Sequence, residues 1–284
     1  MDKVTIYHFT DPMMGLSYES EPFFRQLETH FDSQIELKFV MGGLVRDVAD
    51  FMIADDFREG EERAFIRYNA RLAKIYESEQ GISGMPIKMD KLNLFSAERR
   101  SSTPLNLAYK AAQLTDSLSA DQFLYRLRYA TIVEQRETNR EAEIFAVAQE
   151  TGLDMLRFKH YFNDRSAQQA LAQDWRWRAE LGVRGLPAYL FEYQGKQALV
   201  SGVLTYDHLA SLIVQFTQGN IQPTSPKCNA EILQHFMQKH PLVSLIELQY
   251  AFGFSNENQI LQAFIQAQIP FKRVGNGHFM QICL

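Results

Sequence analysis

The chain has 284 residues, 46% of them hydrophobic and 12% aromatic, and a formal net charge of −5. That length and composition can bury a large core and suit one main domain with a smaller companion, while the acidic balance, with a pI near 5.8, excludes a protein-wide phosphate-binding surface, which needs clustered Lys and Arg. No segment approaches the roughly 20 uninterrupted apolar residues of a membrane-spanning helix, and Met1 to Phe9 alternate polar and apolar rather than forming a secretory leader. A cytoplasmic protein without a membrane partner is the expectation. The cysteines, Cys228 and Cys283, are too far apart in sequence to resemble a disulfide framework or a metal knuckle. Two ordinary thiols and no metal site are expected.

In chain order, Val4 to Thr10 reads as a strand ended by Asp11-Pro12. A helix follows from about Met14 through His30, with Phe23, Phe24, Leu27 and Phe31 on one apolar stripe and a kink at Pro22. Ile35 to Val40 again alternates, so strand–helix–strand implies a parallel crossover. From about residue 47 to 165 the sequence reads as a helical block, including Leu105 to Leu114 and Asp121 to Tyr129. Ser119 stands three residues before Gln122, which predicts an N-cap, and Gly152 suits a C-cap. After a helix from about Ala167 to Leu181, Pro187 to Phe191 and Ala198 to Ser201 read as a hairpin around Gly195, and a helix from Tyr206 to Gln218 closes the unit. The fold class is α/β: β-α-β, inserted helices, then β-β-α.

Gly219 to Pro226 has linker composition. Beyond it, three short helices, about Asn229–Lys239, Ser244–Gly253 and Glu257–Gln266, precede an apolar hairpin that turns at Gly275-Asn276-Gly277. That order is helical or winged-helix-like. The chain therefore divides into a domain over 1–220, with its helical insertion at about 47–165, and a small one over 224–284. Residues 223–284 carry few charges, which favours a protein-contact or structural module over a nucleic-acid reader; a basic stripe on the third helix would mark the latter.

Several segments carry a family resemblance: Phe9-Thr-Asp-Pro12 ahead of the first helix, Met41-Gly-Gly-Leu-Val-Arg46 after the second strand, the Pro104–Gln113 and Phe123–Ala130 helices, Gly152-Leu-Asp154, and Leu181-Gly-Val-Arg-Gly-Leu-Pro187. With these, residues 3–218 resemble the DsbA-like branch of the thioredoxin superfamily, in particular its cytosolic FrnE-like and SpxH-like members. The resemblance implies a thioredoxin fold with a large helical insertion, a cis-proline at Pro187, and a first helix opening with Cys-x-x-Cys. A thiol there faces unpaired N–H groups and the positive end of the helix dipole, which makes it a nucleophilic thiolate. Aligned on Asp11-Pro12, those four positions are Met14-Gly15-Leu16-Ser17. Both sulfurs are absent, a thioether and a hydroxyl cannot enter disulfide exchange, and no catalytic residue of that cycle is intact.

The resemblance implies two classes of function. SpxH-like relatives are adaptors that present a transcription regulator to a Clp protease, which implies a protein or peptide partner and no cofactor. The alternative is an enzyme, of the thiol-disulfide oxidoreductase family or similar to kappa-class glutathione transferases and isomerases, with glutathione bound near Ser17 and Pro187. In both, Met14, Gly15, Leu16, Ser17, Leu186 and Pro187 are the candidate binding residues, the backbone of Leu186 pairing with an extended ligand. Ser17 is expected to be a structural first-turn residue, Met14 adaptable apolar area, and His8 a packed imidazole with no acid to complete a triad. Arg99-Arg100 and Glu61-Glu62 read as solvated faces, and Trp175 and Trp177 as one buried and one half-exposed ring.

Overall fold

The computed structural model describes residues 3–266, 268, 270–274 and 277–282; Cys283 and the Gly275-Asn276 part of the expected turn lie outside the described residues. At the centre is a four-stranded sheet of β1 (Val4–Thr10), β2 (Ile35–Met41), β3 (Ala188–Tyr193) and β4 (Lys196–Ser201), in the order β2-β1-β3-β4. β1 and β2 are parallel, with His8 opposite Phe39, while β3 runs antiparallel to both β1 and β4, with His8 opposite Tyr189. The crossover is α1 (Gly15–Glu19) and α2 (Glu21–Phe31), two helices where one kinked helix was expected. A proline inside a helix removes a backbone bond and crowds the carbonyl four residues back, so the chain breaks at Ser20 and restarts with Pro22 in a first turn, where its missing N–H is harmless. Phe23, Phe24, Leu27 and Phe31 pack with Ile6, Tyr189 and Phe191 of the sheet and with Leu209 and Ile213 of α9 (Tyr206–Phe216).

Between β2 and β3 the chain inserts α3 (Glu61–Glu79), α4 (Thr103–Thr115), α5 (Ala120–Ile132), α6 (Glu141–Glu150), α7 (Met155–Asn163) and α8 (Ser166–Glu180). The block is less regular than its composition implies: residues 48–51 and 54–59 are short 3-10 turns and 83–102 carry no helix. α6 ends as Gly152 predicts. With Gly152 at φ +72°, its N–H reaches the Gln149 carbonyl and the Leu153 N–H reaches Ala148, a Schellman arrangement. Ser119 does not cap α5 with its side chain; its hydroxyl donates to Asp116 at 2.6 Å instead. Arg99 is not solvated either, since its guanidinium donates to the carbonyls of Asn93 and Leu94 and pairs with Glu137. Both tryptophans are half-buried, Trp175 over Gly43 and Trp177 edge-on to Tyr7.

The C-terminal elements are α10 (Ala230–Lys239), β5 (Leu242–Ser244), α11 (Leu245–Phe252), α12 (Glu257–Gln266), β6 (Phe271–Val274) and β7 (Gly277–Gln281), with the strands ordered β5-β7-β6. This is the winged-helix order of elements. β5, three residues long, gave too short a run for periodicity to reveal. Val243 and Met280, paired across β5 and β7, enter a core with Leu233, Leu248, Ile260 and Phe264. One residue along, Leu242 and Phe279 point to the opposite face and join the core of the helical insertion, as the two-residue period of a strand requires. α11 lies on α2, where the Thr29 hydroxyl donates to the Ala251 carbonyl at 2.7 Å. α12 contains no lysine or arginine, so the basic stripe that a nucleic-acid reader would need is not on it.

Candidate functional site

The turn that leads into α1 is built around Asp11. Its buried carboxylate accepts hydrogen bonds from the amides of Met13 and Leu44, the Ser102 hydroxyl and the Asn106 amide group, at 2.7–3.1 Å. One side chain thus ties the first turn to the loop after β2 and the start of α4. Burial raises its pKa, and those four donors pull the other way.

The motif that follows is closed. Met14 is 4% exposed and Ser17 fully buried, Gly15 is buried and Leu16 half-buried. The last turns of α3 lie directly on it: the Tyr76 hydroxyl donates to the Met13 carbonyl, and a methyl group placed on Gly15 would stand 2.0 Å from Glu79 Oε2 and 2.5 Å from the Tyr76 ring. Only glycine fits beneath that helix. The Glu79 carboxyl and that of Glu19, whose Oε2 accepts from the Ser83 hydroxyl and the Met85 amide, are both pushed up to about 7 by burial, and Glu79 is pushed further by the charge of Glu19.

Beneath the motif lies a buried polar chain. Arg128 Nη2 donates to Thr10 Oγ1 at 2.9 Å, Thr10 donates to Ser17 Oγ at 2.6 Å, and Ser17 Oγ stands 3.3 Å from His8 Nε2. The assignment in which both hydroxyl protons are used has Ser17 donate to Nε2, leaving a neutral imidazole protonated on Nδ1. Burial, helped by the charge of Arg128, does hold His8 well below the ordinary histidine range. The ring stacks on Tyr189 at 4.7 Å and its Nδ1 has no hydrogen-bond partner, so Ser17 and His8 form a pair without an orienting acid. The Ser17 hydroxyl is thus buried and engaged on both sides, by Thr10 and by His8.

The chain of charges continues outward. Arg128 pairs with Glu21, Glu21 with Arg25 at 2.8 Å, and Arg25 with Glu247 of α11 at 3.3 Å and Glu28 at 3.2 Å, while Glu28 also meets His240 at 2.7 Å. Sequence reasoning missed this network. Glu21, Arg25 and Glu28 have the spacing of ordinary surface helix pairs, and nothing local says that a second helix will bury them.

On the other side, the Leu186–Pro187 peptide bond is cis. Pro187 is buried and Leu186 half-buried, with the Leu186 side chain against Gly42, where an added methyl group would stand 2.5 Å from Leu186 Cδ1. The amide and carbonyl of Leu186 take no partner among the described residues.

The family model described as thioredoxin matches residues 7–211. Among curated proteins, the ClpXP adapter protein SpxH of Halalkalibacterium halodurans is 24% identical over 280 residues, covering 96% of this chain and 87% of the relative, and that of Bacillus subtilis is 23% identical over 257 residues, covering 89% and 79%. An alignment over 96% of the chain takes in most of the C-terminal elements that lie beyond the family model. Among solved structures, a putative protein disulfide isomerase from Nitrosomonas europaea superposes with a TM-score of 0.63 at 17% identity, covering 77% of this chain and 99% of its own. The cytosolic disulfide reductase DsbM from Pseudomonas aeruginosa does so with a TM-score of 0.56 at 18% identity, covering 75% and 99%. On the family-model match the chain belongs to the thioredoxin family, with helices inserted between β2 and β3 as expected of its DsbA-like branch.

Proposed function

We propose that this chain is a non-catalytic adaptor of the SpxH type, which holds a protein client in the cytoplasm and hands it to a ClpXP protease. The observation that carries this reading is the closed, sulfur-free motif: Met14 and Ser17 stand where disulfide exchange needs two thiols, and the last turns of α3 lie on Gly15 between them. A scaffold kept intact after its nucleophile has gone is suited to holding a partner. The similarity to the SpxH proteins, which extends into the C-terminal elements, supports the same conclusion. In this reading residues 1–220 form the DsbA-like unit and 224–284 a small winged-helix-like unit. Of the candidate contact residues, Leu186 keeps a free backbone N–H and C=O beside Pro187, whereas Met14, Gly15, Leu16 and Ser17 serve chiefly as the frame under α3.

A glutathione-binding enzyme would need a hydroxyl that can reach the sulfur, and the Ser17 hydroxyl is buried between Thr10 and His8. The test is reconstitution: purified ClpXP, the transcription regulator that SpxH-like proteins present, and this protein at rising concentration. The expected result is faster degradation of the regulator, unchanged in the Cys228→Ala variant. No acceleration, or reduction of insulin disulfides above a control without protein, overturns the proposal.

A further inference from the structure

The outer edge of the central sheet is unpaired where it meets a cleft between β2, α2 and α5. Gly42 donates to Thr10, on the β1 side, whereas Met41 donates to Asp174, on the far side. Alternation along the strand therefore directs the backbone polar groups of Ile35, Leu37 and Phe39 away from β1. The Ile35 amide is used by Asp32. The Ile35 carbonyl and both backbone groups of Leu37 and Phe39 have no partner among the described residues. They face a cavity of about 850 Å³ that β2 shares with α2, α5, the end of α6 and the residues joining α10 to β5. A row of unpaired donors and acceptors on an edge strand is a template for another strand.

The charge around this edge is unbalanced. The described lining carries six carboxylates, Glu21, Glu28, Asp32, Glu36, Asp121 and Glu150, against three cations, Arg25, Arg126 and Lys239. The remaining basic group, His240, is lowered to about 4 by burial, with the charge of Arg25 acting in the same direction and the Glu28 carboxylate opposing it. All three cations are already paired with carboxylates, and Glu21, Glu36 and Glu150 also meet Arg128, Lys38 and Arg136 from outside the lining, so among the described residues Asp32 and Asp121 are the lining carboxylates without an ion pair.

We propose that this edge seats an extended, lysine- or arginine-bearing peptide segment of a protein partner, which pairs antiparallel or parallel with Ile35–Phe39 and places its basic side chains among the carboxylates. Backbone pairing gives such a contact its affinity and the flanking side chains its selectivity. This rests on the adaptor reading and deepens it, by naming the chemistry of the segment a client would offer and a place for it away from the degenerate motif.

The experiment uses the full chain and three labelled seven-residue peptides: one alternating lysine with valine, one with glutamate in place of lysine, and the lysine peptide N-methylated at alternate residues. Fluorescence anisotropy reads binding, and hydrogen exchange reads the amides of Leu37 and Phe39. The lysine peptide is expected to bind and protect both amides, the acidic peptide not to bind, and N-methylation to cost about tenfold or more in affinity. Leu37→Pro removes the central donor; Glu36→Lys, at an exposed side chain that leaves the backbone intact, is expected to weaken binding about fivefold. Absence of binding, or binding indifferent to N-methylation, overturns the proposal. So does a dimer in sedimentation with both amides already protected, because a second copy would then occupy the edge. Regulator degradation by ClpXP, run on the same proteins, separates the two claims: full delivery by a Glu36→Lys variant that has lost the peptide removes this edge as the client seat and leaves the adaptor reading standing. Peptide binding by a wild-type protein that delivers nothing does the reverse.

Discussion

Arg25 on α2 and Glu247 on α11 meet at 3.3 Å, their side chains 9% and 0% exposed, although 222 residues separate them. Glu247 is saturated: its other oxygen accepts from the Tyr125 hydroxyl at 2.6 Å and the Ser244 amide at 2.7 Å. Arg25 in turn meets Glu21 and Glu28. A buried cluster whose members are all satisfied is tolerable, but one stripped of a partner is costly.

Replacing Glu247 by leucine is therefore expected to lower stability by about 3–5 kcal/mol in urea unfolding, because Tyr125, Ser244 and Arg25 all lose an acceptor. Arg25→Met alone is expected to cost a comparable amount. Since the two changes remove the same contact, the double variant should lose clearly less than the sum of the singles. Strictly additive losses would show that the pair is not coupled.

Glu19 and Glu79 bring a pH dependence. Each carboxyl holds its proton to about pH 7 in the folded chain and releases it near 4.5 once unfolded. Between those values the folded state binds more protons, so the contribution of these groups to stability falls as pH rises through that window. His240, depressed to about 4, acts in the opposite direction below its ordinary value, so the measurement is a difference. Glu79→Gln mimics the protonated group and is expected to gain thermal stability relative to the parent between pH 5 and pH 8. A constant gap in Tm across that range would count against the shared burial of the two carboxyls.

Gly15→Ala tests the closure of the motif. The added methyl group meets the Tyr76 ring at 2.5 Å as well as the more yielding Glu79 carboxyl, so α3 must shift. A loss of about 1–3 kcal/mol is expected, the usual cost of overpacking, and Tyr76→Leu in the same chain should recover part of it. Gly15→Ala with unchanged stability would mean that α3 does not rest on the motif.

Much of this was legible in the residues. The alternation in Val4–Thr10 and Ile35–Val40, the stripe Phe23-Phe24-Leu27-Phe31 and the Gly152 cap are local signals with local causes, and the structure has each of them. The Met14-Gly15-Leu16-Ser17 motif was readable because a missing sulfur is a property of sequence. Its burial was not: α3 begins at Glu61, and nothing in Gly15 or Tyr76 alone says that one will rest on the other. The same holds for Arg99, whose three partners lie in the irregular segment before it and in Glu137, and for Arg25, whose buried state depends on a helix 222 residues away. Helix periodicity reports which face is apolar, not which charged face another element will cover.

The last prediction concerns restored thiols. Met14→Cys with Ser17→Cys returns both sulfurs to the start of α1, and a helix start by itself favours a reactive thiolate. The structure opposes this on two counts. Met14 is 4% exposed and Ser17 fully buried, and burial disfavours the charged thiolate; the carboxyl lying on Gly15 is that of Glu79, which repels a thiolate once it ionises. Attack on a substrate disulfide also requires approach from solvent, and α3 stands in the way. The double variant is therefore expected to react with iodoacetamide at least about tenfold more slowly in the folded state than in denaturant, as for a site that reacts only on local opening. Adding Tyr76→Ala, which removes the ring above Gly15 and the hydroxyl on Met13, should restore much of the rate. Mass spectrometry of the alkylated peptide separates these thiols from Cys228 and Cys283. If the cysteine replacing Met14 is alkylated as fast in the folded protein as in denaturant, the motif is open and its closure by α3 is refuted.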